Sequence, residues 1–398
     1  MDLTIYPSKL KGRITAIPSK SQAHRLLICA AFSDQPTHLT CPETNRDIEA
    51  TVGCLNSIGA SIIRTSTGYD VKPITDIPNT AEIDCDESGS TLRFILPIIC
   101  ALGVESTIHM SGRLPYRPLS PLWEELERMG CTLTRPTETT IHTSGKLKAG
   151  EYTIAGNISS QFITGLLFAL PLIDGSSKIT ITGKLESAPY VEMTQRALAV
   201  FGVNSENYMF SGNVPFHSPG NVCVEGDWSN GAFFLAAAAL GNDVYVDNLD
   251  PDSPQGDRAI ADILMSKDDT PTICAADIPD LVPILAVYFA AKNGAVFTDI
   301  ARLRLKESDR VISVMNLLGA LGIQSVADEN SLCVHGGKFT GGTVDSCGDH
   351  RIAMAAGIAS TVAEVPITIL DAECVAKSYP TFWDEFKRLG GKYELYIR

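Results

Sequence analysis

The sequence predicts a mixed α/β protein with two similar lobes, each made of three repeated β/α units. The first observation is a repeat, in which a short polar segment leads into a helix rich in Ala, Leu, Ile and Phe. It recurs with a spacing of about 70 residues and one shorter step. The polar starts lie near Ser19, Ser88, Ser159, Ser229, Asp280 and Asp349. Six copies indicate six units, and three units per lobe make two similar lobes.

Strand-like stretches bounded by Gly or Pro lie between these helices and form the β part of each unit. Examples are residues 177–183, 243–247 and 365–370. A second helix in the unit ends at a glycine-containing turn, as at residues 122–129, 193–201 and 311–321. The repeated apolar helices, such as 227–239, are rich in small residues, which is typical of helices packed on all sides. Each unit therefore combines strands with one buried and one outer helix.

Composition excludes several classes of protein. The chain has 398 residues, of which 44% are hydrophobic, so it is long enough for two domains with complete cores. Its net charge of −14 argues against nonspecific binding to nucleic acid or to an acidic membrane surface, because such binding depends on neutralising phosphates. The cationic residues are therefore expected to act locally and specifically.

Cysteine usage and the apolar segments predict a cytoplasmic protein. The chain has 11 cysteines, an odd number with no C-x-x-C pair, which favours reduced thiols over disulfides or a zinc site. The apolar run from Leu281 to Ala291 is shorter than the roughly 18–20 residues that a membrane helix needs. The start of the chain, from Met1 to Thr4, lacks the basic and apolar regions of a signal peptide.

Several polar starts carry basic residues where helix physics disfavours them. The starts at residues 19–27, 88–94 and 348–352 bring Lys or Arg to the positive end of a helix dipole, at a cost of roughly 0.3–1 kcal/mol each. A bound anion removes this cost, and the free N–H groups at the same helix ends also favour phosphate or carboxylate. These starts therefore predict anion-binding sites.

The segment from Arg304 to Arg310 contains the strongest local chemistry of the chain. If a helix runs from Ser308 onward, Lys306, Glu307 and Arg310 converge at its N-terminal end. A carboxylate among cations can carry a proton while the cations hold a phosphate. The alternative is a solvated charge run that only caps a helix, and for the segment alone both interpretations stay open.

Three further polar positions have a simple structural interpretation beside a functional one. Asp280 opens an apolar helix, so an N-cap is the simpler local interpretation and a general base tuned by partial burial is the alternative. His350 has no second histidine at ligand spacing, which favours a structural or anion-binding role over a metal site. Ser159, Ser160 and Gln161 offer donors at a helix start, although serine is also a common cap.

Ten short motifs occur in order over nearly the whole chain. They are Pro18-Ser19-Lys20-Ser21-x-x-x-Arg25, Ser88-Gly89-Ser90-Thr91-Leu92-Arg93, Arg117-Pro118-Leu119, Ser159-Ser160-Gln161, Ser187-x-Pro189-Tyr190, Glu225-Gly226-Asp227, Pro279-Asp280, Lys306-Glu307-Ser308-Asp309-Arg310, Asp349-His350-Arg351 and Ala376-Lys377-Ser378-Tyr379-Pro380. Any one motif is weak evidence, but ten in sequence are highly specific. With them the chain resembles the 5-enolpyruvylshikimate-3-phosphate synthase family.

The resemblance implies the enolpyruvyl transferase fold, an inside-out barrel of two lobes with three repeated β/α units each and the helices clustered inside. The active site is expected in the cleft between the lobes. One lobe is expected to consist of residues 1–13 and 228–398 and to carry Lys306, Arg310, Arg351 and Lys377. The other is expected to consist of residues 14–227 and to carry Lys20, Arg25, Arg117 and Gln161.

The same resemblance implies transfer of the enolpyruvyl group of phosphoenolpyruvate to the 5-hydroxyl of shikimate 3-phosphate, with release of inorganic phosphate, in the shikimate pathway to chorismate and aromatic amino acids. Shikimate 3-phosphate is implied to bind Ser21, Arg25, Ser159, Ser160, Gln161, Ser187 and Lys306, with Tyr190 packed nearby. Phosphoenolpyruvate is implied to bind Lys20, Gly89, Arg117, Arg310, Arg351 and Lys377, and Lys20 and Gln161 are implied to reach both substrates.

The implied chemistry needs a proton acceptor and a proton donor. Asp280 is implied to accept the 5-hydroxyl proton, and Glu307, assisted by Lys20, to protonate the methylene carbon of phosphoenolpyruvate. Addition and elimination then proceed through a tetrahedral intermediate whose charge the fixed cations stabilise. The resemblance implies no metal or organic cofactor. The expected partners are the two small substrates, without nucleic acid or membrane, and the expected state is a monomer.

The sequence departs from the family pattern at Glu87 and Arg302. Members commonly have Asn at the position of Glu87, whose carboxylate is expected to repel phosphoenolpyruvate unless it turns away or pairs with a cation. Arg302 stands where some members have an Asn that contacts the shikimate ring, so this contact is not inferred. Gly89, which has no Cβ, predicts sensitivity to glyphosate, which the resemblance assigns to the phosphoenolpyruvate site.

Other functions fit the sequence less well. UDP-N-acetylglucosamine enolpyruvyl transferases generally carry a cysteine shortly before their Arg-Pro pair, and residues 111–116 contain none. Their lysine motif is Lys-Asn, whereas Lys20 lies in Ser-Lys-Ser. An RNA-end-processing protein needs a basic stripe with interleaved aromatics, which this acidic chain lacks. A noncatalytic sensor of phosphate ligands stays open on the sequence alone.

Overall fold

The computed structural model describes residues 1–396. In it the chain forms two domains, with boundaries after Ile17 and after Glu225. The continuous domain is Pro18–Glu225, and the discontinuous domain joins Met1–Ile17 to the part of the chain that begins at Gly226. The expected boundaries, after residues 13 and 227, therefore need correction. The strand Lys11–Thr15 pairs over its whole length with Asp243–Asp247 of the discontinuous domain, and a boundary after residue 13 would cut this strand.

Buried and outer helices alternate along the chain. The α-helices within residues 1–396 are α1 (Lys20–Ala31), α2 (Arg46–Ser57), α3 (Gly89–Leu102), α4 (Leu122–Arg128), α5 (Ser160–Ala169), α6 (Ala188–Val200), α7 (Trp228–Ala239), α8 (Ala259–Met265), α9 (Val282–Ala290), α10 (Arg310–Ala320), α11 (His350–Ala359) and α12 (Phe382–Arg388). The odd-numbered helices are mostly buried and correspond to the six apolar helices of the predicted repeat.

Short strands connect these helices. Within the same residues they are β1 (Asp2–Tyr6), β2 (Lys11–Thr15), β3 (Thr37–Thr40), β4 (Ser61–Arg64), β5 (Gly68–Lys72), β6 (Thr80–Asp84), β7 (Glu105–His109), β8 (Cys131–Thr137), β9 (Thr140–Gly145), β10 (Glu151–Ala155), β11 (Ser177–Thr182), β12 (Met209–Phe210), β13 (Asn221–Cys223), β14 (Asp243–Asp247), β15 (Thr272–Cys274), β16 (Gly294–Thr298), β17 (Ser325–Ala327), β18 (Ser331–His335), β19 (Gly342–Asp345), β20 (Ile367–Leu370) and β21 (Lys392–Tyr396).

The strands form open sheets, three in each domain as far as the structure describes the chain. The continuous domain contains β13-β3-β5-β4, β6-β7-β9-β8 and β10-β11-β12. The discontinuous domain contains β14-β2, β15-β16-β18-β17 and β19-β20-β1-β21. One pair in each sheet is parallel, and any other pair is antiparallel. The predicted mixed α/β architecture with three repeats per lobe is thus confirmed.

Two repeats exchange strands at the domain boundaries. In the other four, a buried helix connects the two strands of the parallel pair directly, as α3 connects β6 to β7. At the boundaries, β2 precedes α1 but pairs with β14, whereas β13 precedes α7 but pairs with β3. Strand β2 therefore belongs to a sheet of the discontinuous domain although the next helix, α1, belongs to the continuous domain. The reverse holds for β13 and α7.

Each domain has its own hydrophobic core of helices packed against sheets. In the continuous domain α3 packs against α5, α5 against α6, and α6 against α1. In the discontinuous domain α11 packs against α7, α9 and α10. In both domains, hydrogen bonds join the N-terminal ends of neighbouring helices, which is where the polar starts of the sequence lie. Up to residue 396, no helix is long and apolar enough to span a membrane.

Candidate active site

Within residues 1–396, serine or aspartate side chains cap five of the six buried helices, namely α1, α3, α5, α7 and α11. In the continuous domain, Ser19 Oγ accepts a hydrogen bond from Gln22 N at 3.4 Å, and Ser88 Oγ accepts one from Thr91 N at 3.3 Å. Ser159 caps α5 in the same way, accepting from Gln161 N at 3.3 Å. Capping orients the first turn and leaves other first-turn N–H groups available to a ligand. The predicted helix starts at Ser19, Ser88 and Ser159 are therefore confirmed as capped N-termini.

Lys20 is the first residue of α1, where its charge opposes the helix dipole. Its Nζ lies 2.8 Å from Asp47 Oδ2, and the two side chains are only 15% and 9% exposed. Asp47 belongs to the first turn of α2, where the dipole favours a negative charge. The sequence predicted an anion at this helix start because the charge of Lys20 is unfavourable there. In the structure the carboxylate of Asp47 is such an anion. The sequence interpretation did not select Asp47, because nothing local in the chain links it to Lys20.

Arg25 joins two helices of the continuous domain. Its guanidinium donates to Ser21 O at 2.6 Å, Tyr190 O at 3.0 Å and Thr194 Oγ1 at 2.8 Å, and it lies over the ring of Phe94. Burial lowers the pKa of Arg25 to about 10, with Tyr190 and Cys29 opposing the shift, so the group is still charged at neutral pH. Three of the five N–H donors of a guanidinium are used here, which leaves two for a ligand.

Gly89, Arg93 and Arg117 lie together at the start of α3. Arg93 Nη1 donates to Gly89 O at 3.1 Å, and its Nη2 donates to Pro118 O at 2.9 Å. A Cβ added to Gly89 would lie 2.5 Å from Arg117 Nη1 and 2.7 Å from Arg93 Nη1. Glycine is thus required for both guanidinium groups to approach the backbone so closely. Arg93 was part of a sequence motif but was not selected as a site residue.

The remaining predicted residues of the continuous domain lie at the starts of α5 and α6. Gln161 Nε2 donates to Ser90 Oγ at 2.9 Å, which connects the start of α5 to the start of α3. Ser160 is the first residue of α5 and is buried. Ser187 precedes α6 with a left-handed backbone of φ 54°, and is also buried. Tyr190 contributes its carbonyl oxygen to Arg25.

Glu87 is turned toward a neighbouring loop. Its carboxylate lies against the backbone of Gly112, where an added Cβ would be 2.0 Å from Glu87 Oε1. Gly112 has φ 54°, a conformation that side chains other than glycine rarely adopt. The departure at Glu87 is therefore accommodated by a glycine in the loop that follows β7.

Arg310 organises the candidate site of the discontinuous domain. It is the first residue of α10, it is 1% exposed, and it contacts three carboxylates. Its Nη1 donates to Asp280 Oδ1, its Nη2 to Glu307 Oε2 at 2.7 Å, and its Nε to Asp349 Oδ2 at 2.9 Å. Burial alone would lower the pKa of Arg310, but Asp349, Glu307 and Asp280 hold it well above its ordinary value. The convergence of Lys306, Glu307 and Arg310 is confirmed, and the alternative of a solvated charge run is wrong.

The helix after this segment lies within one residue of the predicted stretch 311–321. α10 starts at Arg310 with Asp309 as its N-cap, two residues after the start at Ser308 that the convergence argument assumed. Ser308 lies outside the helix, and its Oγ donates to Asp349 Oδ2 at 3.0 Å. Asp349 in turn caps α11 by accepting from Arg351 N at 3.0 Å. A single carboxylate therefore connects the starts of α10 and α11.

Asp280 is an ion-pair residue rather than a helix cap. α9 begins at Val282 with Leu281 at the cap position, so the local interpretation of Asp280 as an N-cap is wrong. Besides Arg310, the Asp280 carboxylate lies 3.5 Å from Lys306 Nζ and 3.5 Å from Arg351 Nη2. Burial favours a raised pKa for Asp280, but Arg351, Lys306 and Arg310 together hold the pKa well below its ordinary value. The carboxylate is thus ionised and surrounded by three cations.

Lys306, Arg351 and Lys377 complete the predicted residues of this domain. Burial lowers the pKa of Lys306 to about 8, with the Asp280 charge opposing the shift and Arg310 adding to it. Arg351 Nη1 donates over long distances to Ser229 O at 3.5 Å and Asp280 O at 3.4 Å. Lys377 is half-buried and ends a 3₁₀ turn whose next residue, Ser378, accepts from Asn230 of α7.

Comparisons with known proteins agree with this fold. A sequence model of the EPSP synthase family (3-phosphoshikimate 1-carboxyvinyltransferase) matches residues 5–270 and 267–386. The 3-phosphoshikimate 1-carboxyvinyltransferase of Clostridium beijerinckii is 39% identical, over 99% of this chain and 98% of its own length. That of Clostridium novyi is 40% identical, over 98% of each chain. The 2.37 Å structure of EPSP synthase from Acinetobacter baumannii has the same fold, with a TM-score of 0.80 and 24% identity over 99% of this chain and 100% of its own.

Proposed function

Because the chain belongs to the EPSP synthase (3-phosphoshikimate 1-carboxyvinyltransferase) family, we propose how its own residues carry out the family's reaction. The enzyme transfers the enolpyruvyl group of phosphoenolpyruvate to the 5-hydroxyl of shikimate 3-phosphate and releases inorganic phosphate. Both substrates carry several negative charges. The reaction therefore needs cations that bind the substrates, a group that accepts the hydroxyl proton, and a group that gives a proton to the methylene carbon.

One observation carries the assignment of the two proton-transfer groups, namely that Arg310 contacts both Asp280 and Glu307. Asp280 is ionised and can accept a proton, but three neighbouring cations make it a weak base. Phosphoenolpyruvate competes for Arg310 and Arg351 when it binds. Its negative groups then draw these cations away from Asp280, and the carboxylate becomes a stronger base only when substrate is present.

The proton transfers follow from these roles. The 5-hydroxyl oxygen attacks C2 of phosphoenolpyruvate while Asp280 accepts the hydroxyl proton, and Glu307, with Lys20, gives a proton to C3. The product of this step is a tetrahedral intermediate with a methyl group. In the elimination the methyl group returns one proton to the Glu307 carboxylate, the bond from C2 to the phosphate oxygen breaks, and the departing phosphate takes the proton held by Asp280, which restores the double bond and both carboxyl groups. Lys306, Arg310 and Arg351 supply positive charge for the phosphate and carboxylate groups throughout.

The continuous domain supplies the other binding groups. For shikimate 3-phosphate we assign Arg25 and the hydroxyl and amide donors of Ser21, Ser159, Ser160, Gln161 and Ser187. Support comes from the two donors that Arg25 has left and from the capped starts of α1 and α5. For phosphoenolpyruvate we assign Lys20, Gly89 and Arg117, with Lys377 from the discontinuous domain. A phosphate or carboxylate replaces Asp47 as the partner of Lys20.

The decisive experiment separates chemistry from binding. Phosphate release should require both substrates and should stop when either is omitted. Asp280→Ala should lower kcat by roughly 10² to 10⁴ and leave shikimate 3-phosphate binding largely intact, because the variant removes the base and keeps the binding cations. Arg25→Ala should instead raise KM for shikimate 3-phosphate. Normal turnover by Asp280→Ala would show that another group accepts the proton.

The matched control is Asp277→Ala, which removes an exposed carboxylate three residues before Asp280. It should leave kcat and both KM values unchanged within about twofold, because exposed charges interact weakly. An equal loss of turnover in both variants would indicate a general effect on the loop before α9 rather than a role of Asp280 in proton transfer.

We further propose that the enzyme acts as a cytoplasmic monomer. All 11 cysteines lie within the described residues and none of them forms a disulfide, which suits a reducing compartment. All the binding and proton-transfer residues assigned above come from one chain. Light scattering during size-exclusion chromatography should give a mass near 42.7 kDa, and twice that value would contradict the monomer.

A further inference from the structure

Asp257 is a buried carboxylate that none of the steps above uses. It lies in the 3₁₀ turn Gly256–Arg258 between β14 and α8, and it is 1% exposed. Its Oδ2 accepts a hydrogen bond from Ser229 Oγ, whereas its Oδ1 has no hydrogen-bond partner within residues 1–396. Burying a carboxylate with one oxygen unsatisfied is costly, so such a group calls for an explanation.

A chain of contacts leads from Asp257 to the proposed base. Asp257 holds Ser229 in the first turn of α7, and Ser229 O accepts from Arg351 Nη1 at 3.5 Å. The same Nη1 donates to Asp280 O at 3.4 Å, and Arg351 Nη2 lies 3.5 Å from Asp280 Oδ2. These contacts of Arg351 are long, so a small displacement of Ser229 is enough to break the one that Ser229 contributes.

The residue before this turn fixes the same helix start. Gln255 Oε1 accepts from Trp228 N at 3.0 Å, and Gln255 Nε2 donates to Gly226 O at 2.8 Å. Gln255 and Asp257 therefore hold consecutive residues at the beginning of α7 from outside the helix. Gln255 bonds Trp228, whereas Asp257 bonds Ser229, whose carbonyl oxygen accepts from Arg351. Of these two side chains only Asp257 can also carry a charge.

We propose that Asp257 is a positioning residue for the reaction, which holds Arg351, through Ser229, in place for phosphoenolpyruvate and for Asp280. This inference rests on the roles proposed above for Arg351 and Asp280. Asp257 acts through these residues and does not itself contact substrate.

The charge of Asp257 also affects the site. Burial and then the negative charge of Asp280 raise the pKa of Asp257 to about 7, while Arg351 and the Ser229 hydrogen bond oppose this shift and Asp227 adds to it. Below pH 7 Asp257 is mostly neutral, so Arg351 and its neighbours present their full positive charge to an anion. Above pH 7 Asp257 becomes negative, and phosphoenolpyruvate is expected to bind less tightly.

The test compares Asp257→Ala with Asp257→Asn. Alanine removes the acceptor of Ser229, so KM for phosphoenolpyruvate should rise roughly tenfold while KM for shikimate 3-phosphate changes less than about twofold. Asparagine keeps an acceptor for Ser229 but has no charge to gain. Its KM for phosphoenolpyruvate should match the wild type at pH 6 and be roughly threefold or more below it at pH 8.5.

Comparison with the wild type at each pH cancels the titration of Lys306 and of the substrate phosphate, because both proteins share them. The control is Asp262→Asn, an exposed carboxylate of α8, which should follow the wild type at every pH. The inference is overturned if KM for phosphoenolpyruvate in Asp257→Asn follows the wild type from pH 6 to 8.5. It is equally overturned if folded Asp257→Ala keeps the wild-type KM. If alanine prevents folding, the asparagine variant decides.

Failure of this inference can be told apart from failure of the proposed proton transfer. If Asp280→Ala is inactive and both Asp257 variants behave like the wild type, only the role of Asp257 is wrong. If Asp280→Ala turns over normally, the assignment of the base is wrong, and KM for phosphoenolpyruvate in the Asp257 variants still reports on the support of Arg351.

Discussion

At the scale of single residues, carboxylates of the protein pair with the cations that we assign to substrate binding. Asp47 pairs with Lys20, and Asp280 pairs with Lys306 and Arg310. If these assignments are right, an anionic substrate should replace the carboxylates as partner of the cations. Its binding free energy should then be the difference between its own contacts and the contacts it replaces. Partial burial keeps that difference large enough for specific binding, because buried charges are screened less by salt.

Gly89 is the residue at which a single methyl group should have the largest effect on substrate choice. In Gly89→Ala the new Cβ would lie within 3 Å of the guanidinium groups of Arg93 and Arg117, so both must shift. Because Arg117 is assigned to phosphoenolpyruvate binding, KM for phosphoenolpyruvate should rise. The rise should be roughly tenfold if displacing the guanidinium groups costs about 1–2 kcal/mol. Glyphosate is slightly longer than phosphoenolpyruvate, so its affinity for the variant should fall by a larger factor. Steady-state inhibition against phosphoenolpyruvate checks this, and an unchanged ratio of inhibitor to substrate affinity would contradict it.

Lys306 should make shikimate 3-phosphate binding dependent on pH. Its pKa in the free enzyme is about 8, mainly because of burial, and the ammonium form is the one that binds phosphate. Raising the pH through 8 removes this charge, so kcat/KM for shikimate 3-phosphate should fall above pH 8 and level off below it. Lys306→Met should have a low kcat/KM for shikimate 3-phosphate at every pH, without the fall above pH 8. A wild-type profile that is flat between pH 7 and 9.5 would exclude the assignment.

At the scale of elements, the N-terminal ends of α10 and α11 depend on one carboxylate. Asp349 is fully buried, caps α11, and accepts hydrogen bonds from Ser308 and Arg310. Asp349→Ala should lower the free energy of unfolding by about 3–5 kcal/mol, because the buried charge of Arg310 then loses one of its three carboxylate partners. Denaturation in urea measures this loss.

A second cap provides the comparison for Asp349. Asp309 caps α10 with two backbone hydrogen bonds but is partly exposed, at 29% of its side chain. Asp309→Ala should cost about 1 kcal/mol, the usual value for a helix cap. Equal losses in the two variants would mean that Asp349 acts as a cap alone, without a contribution from the buried ion pair.

At the scale of the whole molecule, the two domains should differ in their ability to fold alone. All strand pairs of residues 18–225 lie within that range, whereas β1 pairs with both β20 and β21 in the discontinuous domain. A fragment of residues 18–225 should therefore unfold cooperatively on heating. A fragment of residues 226–398 should not, because it lacks the strand between β20 and β21 and the partner of β14.

A permuted chain tests the reason for this difference. Asp2 pairs with Tyr396, so a short linker can join the end of residues 226–398 to the start of residues 1–17. The permuted fragment should regain a cooperative transition by circular dichroism. If residues 226–398 fold equally well without residues 1–17, the N-terminal strands are not needed for this domain.

Local physics explains how much of the molecule could be predicted from the sequence. The apolar helices and their caps depend on neighbours a few residues away, so α7 was predicted nearly to the residue and the start of α11 was predicted at Asp349, its N-cap. Strand β14 coincides with the predicted stretch 243–247 for the same reason. The ten motifs in order were sufficient to indicate the family and its reaction.

Only the tertiary structure decided which distant residues meet. The repeat predicts strands but not their partners, because hydrogen bonds between strands have no sequence signature, so the exchange of β2 and β13 shifted the domain boundary. Local sequence favoured Asp280 as a cap, because the cations that surround it lie 26 or more residues away in the chain. Asp47 and Asp257 went unselected for the same reason. A carboxylate takes its role from its burial and from the charges packed around it, and both arise only when the chain folds.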